Sequence, residues 1–238
     1  MRRNITVTNT TASGVCLNCL LAAFALFLNG FGVYLTMKAG IGAAPWDVFN
    51  LGLSNTFGIL YGTASIIVSL VILVIDISMK EPIGLAMFID SIVVGKSVDL
   101  FNCIDLIPSG ASTFEGIIML ILGLFIIGYT QLLYMKASLG CGPRDTLLVG
   151  LKRRLKKVPI GAISIALLGT VTLIGYFLGG PVGIGTIICA LFQGPIMELA
   201  FRTFKFDATS IKHANLLDSI AVLLAPFKQG HDGRRKHA

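Results

Sequence analysis

The chain has 238 residues, 55% hydrophobic and only 13% charged, with a formal net charge of +7 and a mean hydropathy of +0.84. A soluble domain carries about 25% charged residues, and this composition leaves too few polar groups to cover a water-facing surface. Disordered, collagenous, disulfide-scaffold and ordinary cytosolic-enzyme classes are excluded, which leaves a polytopic membrane protein.

Arg2 and Arg3 precede the first apolar run, Cys16–Met37. At 22 residues it exceeds the ~7–15 residues of a signal-peptide core, and no Ala-x-Ala site ends it, so it reads as a retained first membrane helix. Five more segments of near-spanning length follow at 59–79, 83–104, 115–135, 159–178 and 182–201, each close to the ~20 residues that cross a bilayer. The first connection, 38–58, is long and holds Gly42, Pro45, Trp46 and Asp47. The second is tight around Lys80, Glu81 and Pro82, and the third, 105–114, contains Pro108, Ser109 and Gly110. The fourth, 136–158, is strongly basic, and the fifth is the Gly179-Gly180-Pro181 turn. Gly and Pro clusters of this kind are the strongest local punctuation.

Basic residues set the expected orientation. With the N-terminus inside, the inner segments hold Arg2, Arg3, Lys80, seven Lys/Arg in 136–158 and seven more from Arg202 onward; the outer segments hold Lys38 alone. Seventeen against one predicts both termini inside and an even number of spans. Beyond Lys205, apolar residues such as Ile211, Leu216, Leu217 and Leu224 alternate with Lys212, Asn215 and Asp218, the pattern of an amphipathic helix lying on the inner surface. The basic charge thus serves membrane topology, and nucleic-acid binding is not expected.

The sequence repeats itself. Met37-Lys-Ala-Gly-Ile-Gly-Ala-Ala-Pro-Trp-Asp47 aligns without a gap on Met135-Lys-Ala-Ser-Leu-Gly-Cys-Gly-Pro-Arg-Asp145, with six of eleven positions identical at an offset of 98. An offset of 99 then pairs Gly62 with Gly161, Ser65 with Ser164, Gly84 with Gly183, Gly95 with Gly194 and Asp99 with Glu198. Each copy holds three spans, and an odd number turns the second copy upside down, as the charge count also demands. The expectation is an all-α polytopic membrane protein with six transmembrane helices as two inverted three-helix repeats, plus a C-terminal interfacial amphipathic helix. In residues: a cytoplasmic N-tail 1–15, a first repeat 16–104, an external linker 105–114, a second repeat 115–204, and an amphipathic, basic tail 205–238.

Two groups of residues are candidates for function. The first is the duplicated Gly-x-x-Pro-x-Asp: Gly42, Pro45, Asp47 and Gly140, Pro143, Asp145, with Trp46 and Arg144 at equivalent places. Glycine breaks the preceding helix, proline suits N1 of the next, and aspartate near N3 complements the helix dipole. Asn55 or Gly58 would end the first short helix. The pair of motifs reads either as capped interfacial helices or as re-entrant turns lining a pathway, since irregular backbone at membrane depth must line a cavity or be buried in protein. The second group is the charges inside spans: Asp90, Lys96, Asp99 and Glu198. Charges there face a partner or a cavity. Lys96 with Asp99 and Glu198 with Arg202 have the helical spacing of local ion pairs, whereas Asp90 has no such partner and points to a polar cavity. Asp76, near the inner end of its span, is expected to snorkel or cap. Asn29, Tyr129, Gln131 and Gln193 read as helix–helix hydrogen-bonding groups.

Five scattered cysteines make no disulfide framework, Cys16-x-x-Cys19 lacks the partners of a metal site, and the three histidines all lie in the tail. No metal, no cofactor and no enzymatic constellation is expected.

On Gly42-x-x-Pro45-Trp46-Asp47, Gly52-Leu53, Pro82-x-Gly84 and Gly95-x-x-x-Asp99, the chain resembles the YczE/YyaS family of bacterial integral membrane proteins, which is YitT-like in pattern. The resemblance covers about residues 20–204, and the second half departs from it at Arg144 and Pro195. It implies a bacterial cytoplasmic membrane and a multi-pass fold, and supplies no substrate. The residues themselves point to a small secondary transporter or permease for a small anionic or zwitterionic solute, working by alternating access between the repeats. Asp47 and Asp145 would shape the gates or central site, Arg144 would attract an anionic group, and Asp90 would couple protons or bind a cation. The alternative is a non-transporting accessory, scaffold or lipid-interacting protein whose basic segments dock a partner or anionic headgroups. Membrane lipids and a small molecule or ion are the expected partners, and six short spans enclose little enough volume to suit a homodimer.

Overall fold

A computed structural model describes residues 12–137 and 142–205. Eight helices follow in order: α1 (Ala12–Lys38), α2 (Pro45–Phe57), α3 (Tyr61–Ser78), α4 (Leu85–Ile104), α5 (Thr113–Lys136), α6 (Pro143–Arg154), α7 (Ile160–Phe177) and α8 (Ile184–Thr203). The six long helices match the six predicted apolar segments, although α1 begins at Ala12, inside the span expected to be N-tail. Five of them, α1, α3, α5, α7 and α8, are long and apolar enough to cross a membrane. The exception is α4, where Asp90, Lys96 and Asp99 interrupt the apolar run. The predicted amphipathic helix in the tail and Gly140 of the second motif lie outside the described residues.

The exterior is apolar, and polar side chains are buried among the apolar core clusters, as suits a membrane protein. Asn18, Asn29, Thr36, Asp47, Asn50, Ser65 and Asp76 are buried, while Ile165 is 74% and Phe177 77% exposed. Buried polar side chains tie helices together: Asn29 Nδ2 donates to Thr130 Oγ1 at 3.1 Å, joining α1 to α5.

Helix packing follows a paired scheme. α1 and α5 lie against each other; α1 packs on α4 and α5 on α8; α2 packs on α7 and α6 on α3. The α1–α5 contact is reciprocal, since a Cβ on Gly32 would sit 3.0 Å from the Gly123 carbonyl oxygen and one on Gly123 2.7 Å from that of Gly32. Small residues let backbones approach this closely. The scheme breaks at one place: α3 packs on α4, but α7 does not pack comparably on α8.

The two ends of the bundle are locked differently. At the end holding the α1–α2 and α4–α5 connections, Lys38 pairs with Asp105, Gly110 donates to the Lys38 carbonyl at 3.0 Å, and the Ile107 amide donates to Tyr34 Oη at 2.9 Å. At the opposite, basic end, Glu81 in the α3–α4 turn accepts from Arg153 at 2.7 Å and faces Arg154 at 3.5 Å, while Arg154 also donates to the Met79 carbonyl at 2.7 Å. The Glu81 side chain is 4% exposed. Charge-assisted bonds of this kind contribute about 1.5–3 kcal/mol. Glu81→Ala is therefore expected to lower stability by about 2 kcal/mol, read as an earlier thermal unfolding in detergent; an unchanged transition would show that the turn does not need the pair.

Three charges behave otherwise than their spacing suggests. Lys96 is exposed and makes no ion pair with Asp99, because Asp99 accepts the Gly62 amide N–H of α3 at 2.7 Å. Asp76 is neither snorkelled nor capping: it is fully buried, and neither carboxylate oxygen has a hydrogen-bond partner among the described residues. Glu198 and Arg202 do pair, at 2.6 Å.

Candidate functional site

The short helices begin as their motifs predict. Pro45 and Pro143 each occupy N1, after extended residues Ala44 and Gly142. Gly58 ends α2 in the left-handed region at φ 63°. Gly42 is held at φ 112°, and a Cβ there would lie 2.6 Å from the Gly183 nitrogen, so this position demands glycine twice over. The α1–α2 loop is pinned to the α7–α8 turn by Ala43 N–H to Pro181 O (3.2 Å) and Gly185 N–H to Ile41 O (2.8 Å).

The beginnings of α2 and α6 meet at one cavity of about 400 Å³, to which all eight helices contribute side chains. Their far ends diverge: α2 runs out to Leu178 and Gly179, whose carbonyls accept from Thr56 and Asn55 at 2.9 Å each, and α6 runs to Glu81 at the basic end. Two half-length helices thus aim their N-termini at a common point from opposite ends, which concentrates free N–H groups and the positive dipole ends there.

Trp46, Asp47, Arg144, Asp145 and Asp90 all line this cavity. Trp46 and Arg144, equivalent in the repeat, stack on one another, with the guanidinium carbon 5.1 Å from the ring centroid, a cation–π arrangement. Arg144 Nη2 also reaches Ser65 Oγ at 3.4 Å. Asp47, 5% exposed, accepts from Tyr61 Oη at 2.7 Å. Asp145 accepts from Gln131 Nε2 at 3.4 Å. Asp90 and Asp145 both approach Gly142: a Cβ there would be 2.9 Å from Asp90 Oδ2, so glycine makes room for that carboxylate, and 3.9 Å from Asp145 Oδ2, an ordinary contact. Arg144 acts electrostatically on all three aspartates, and among the described residues that line the cavity it is the single cationic side chain. Three carboxylates against one guanidinium leave the cavity with an excess of negative charge when all are ionised.

The remaining sequence candidates lie elsewhere. Lys96 is on the outside of α4, Asp99 is committed to Gly62, Glu198 to Arg202, Gly42 to the α7–α8 turn, and Pro143 is buried at the start of α6. Sequence reasoning missed Tyr61, Ser65 and Ser69, which line the cavity from α3; their spacing of four, a polar stripe on an apolar helix, was the available signal. Asn29, Gln131 and Gln193, read as helix–helix groups, also line the cavity. Among the described residues no group of His, Cys, Asp and Glu is arranged to hold a metal ion.

A family profile described as a family of unknown function, DUF6198, matches residues 16–202. The chain is 31% identical over 178 residues to a Bacillus subtilis protein described as the uncharacterized membrane protein YczE, covering 74% of this chain and 81% of that one. It is 30% identical over 175 residues to an uncharacterized protein of Haemophilus influenzae, covering 74% and 79%, and 25% identical over 181 residues to the Bacillus subtilis protein YyaS, covering 73% and 87%. No solved structure matches.

Proposed function

This multi-pass membrane protein belongs to the DUF6198 family, and we propose that it is a small secondary transporter or permease that binds a small zwitterionic solute in the central cavity. The convergence of both Gly-x-x-Pro-x-Asp helix starts on that cavity carries the reading. Half-helices whose N-termini face each other at a repeat interface are the recurring construction of transporter sites. Asp90 and Asp145 would take the cationic end of the solute, and Arg144 with the N-termini of α2 and α6 its anionic end. A purely anionic solute, favoured by the helix starts alone, fits less well beside three carboxylates. The protein would bind and conduct its solute unchanged, without enzymatic chemistry.

The paired packing of α1 with α4 and α5 with α8, and of α2 with α7 and α6 with α3, supports two inverted repeats, each containing one half-helix. In that arrangement α4 is the sixth crossing. Its charges fit that assignment: Asp90 lies at the cavity, Asp99 on a backbone amide, and Lys96 on a stem long enough to snorkel. The basic end would then face the cytoplasm, carrying both termini, in a bacterial cell membrane. The accessory reading draws on Lys156 and Lys157, which are exposed at that end and suit anionic headgroups; Arg153 and Arg154 are already engaged by Glu81.

A thermal-shift screen of the purified protein against amino acids, other zwitterions, organic acids, sugars and ions tests the assignment. A ligand of the native state at 100 times its Kd adds about 2.7 kcal/mol. A zwitterion should give such a shift, and Asp47→Asn and Asp145→Asn should each abolish it while remaining folded. A blank across the panel, or a shift untouched by both variants, would remove the cavity from the mechanism and favour the accessory reading.

A further inference from the structure

Two helix pairs that the repeat makes equivalent stand in different states. In the first, α3 and α4 are clasped. Gly62 is the second residue of α3, and a Cβ on it would collide with the Gly95 carbonyl oxygen; a Cβ on Gly95 would lie 2.8 Å from the Gly62 oxygen. Asp99, one turn along α4, accepts the Gly62 N–H at 2.7 Å. It caps a helix whose own N-cap residue, Leu60, makes no side-chain cap.

Every part of that clasp recurs in α7 and α8, unassembled. Gly161 is the second residue of α7, after the N-cap residue Pro159, which likewise makes no side-chain cap. Gly194 and Glu198 occupy the places of Gly95 and Asp99 on α8. A Cβ on Gly161 or on Gly194 would meet nothing within 4 Å. Gly161 N–H finds no acceptor among the described residues, and Glu198 turns instead to Arg202 on its own helix. Glycine on an exposed helix face is unfavourable unless close approach requires it, and none of the described residues approaches here. Ser164 and Leu167 of α7 and Gln193, Gly194 and Met197 of α8 all line the cavity, so the space between these two helices borders it. A place to bend lies beside it. Pro195 stands in α8 where α4 has Lys96, and a proline in mid-helix cannot donate the bond that holds the preceding turn.

We infer that α7 and α8 close on each other through Gly161 and Gly194, with Glu198 leaving Arg202 to accept the Gly161 N–H, and that this second clasp shuts the cavity at the basic end. The structure is then the state open at that end and closed at the Gly62–Gly95 end. The inference rests on the transporter reading and names the device that controls access to its site.

The test is a cross-link in the full chain, in membrane vesicles. Cys16, Cys19, Cys103, Cys141 and Cys189 are replaced by alanine, and Ile160→Cys and Met197→Cys are introduced, at the places that Tyr61 and Val98 hold in the assembled clasp, where those two side chains share one buried cluster. Gly161 and Gly194 are kept, so the close approach stays open to the helices, and Ile160 is already exposed in the state seen. A disulfide needs Cα atoms within about 4.4–6.8 Å, which closure of α7 on α8 brings within reach. Mild oxidation is expected to bridge most chains within a monomer, leaving no thiol for maleimide, and Glu198→Gln should slow bridging several-fold. Thiols that stay free, or a bridge found only between two copies, would overturn the inference. A second measurement also keeps both glycines: spin labels at Ile160 and Leu199, exposed on α7 and α8, should report a second, shorter distance, and a single long distance would count against closure. Neither readout needs a substrate. A ligand-induced thermal shift without closure would remove the clasp and leave the transporter reading, and closure without any ligand would do the reverse.

Discussion

Gly62→Leu is expected to destabilise the protein by about 4 kcal/mol or more, at the extreme of what single substitutions do. The nearest collision is with backbone, which cannot rotate away: the Gly95 carbonyl occupies the space a side chain would need, beside the Asp99 carboxylate. Relief requires α3 and α4 to separate, which also breaks the Asp99 cap on the Gly62 amide. Gly161→Leu, at the equivalent place in the repeat, should cost nothing, because no atom of the described residues lies within 4 Å of its Cβ position. It should even be slightly stabilising, since leucine exceeds glycine in helix propensity by somewhat under ~1 kcal/mol. Thermal unfolding of the two variants in the same detergent checks this. Equal losses would show that α7 and α8 are packed in the resting protein; equal tolerance would show that the α3–α4 clasp is soft.

Arg144→Leu has the second large expected effect. The guanidinium is the positive side chain set among Asp47, Asp90 and Asp145 at the cavity, and it also covers the Trp46 ring. Its loss leaves three carboxylates facing one another, which like charges in a confined site resist. A destabilisation of about 2 kcal/mol is expected, and Asp90→Asn in the Arg144→Leu background should restore a good part of it. Coupling energies between interacting charged neighbours run about 0.5–3 kcal/mol. The double-mutant cycle measures the coupling directly, and purely additive losses would mean that Arg144 does not neutralise Asp90. The ligand shift should vanish in Arg144→Leu and also in the rescued double variant, since both lack the group proposed to hold the anionic end.

Much of the fold was written locally. The six apolar runs became six long helices because ~20 apolar residues bounded by Gly, Pro and charge leave the backbone little else to do in a membrane. Pro45 and Pro143 took N1 and Gly58 ended α2 because those roles depend only on the φ preference and missing N–H of the residue itself. Glu198 met Arg202 because four residues on a helix is a fixed distance. The repeat showed that Asp47 and Asp145 were counterparts. What it could not show was that both would reach one cavity, that Trp46 and Arg144 would stack on each other, or that Tyr61 would hold Asp47. Those contacts join residues from separate helices whose facing is set by packing. The same limit explains the charges that departed from expectation. Asp99 had a helical neighbour of opposite sign in Lys96, but the close approach of Gly62 and Gly95 delivered a backbone amide to it first. Asp76 sat near a span end, yet the surrounding packing buried it.

Composition, hydropathy and the duplicated motif by themselves determined the class of molecule, the helices and the likeness of two stretches of its sequence, because each depends on short-range chemistry or on counting. Only the tertiary structure decided which equivalent parts are in contact. Gly62, Gly95 and Asp99 spell the same pattern as Gly161, Gly194 and Glu198, and one set is clasped while the other stands open. Two copies of one pattern carry the same local preferences, so the difference between them arises from how the helices pack around the cavity.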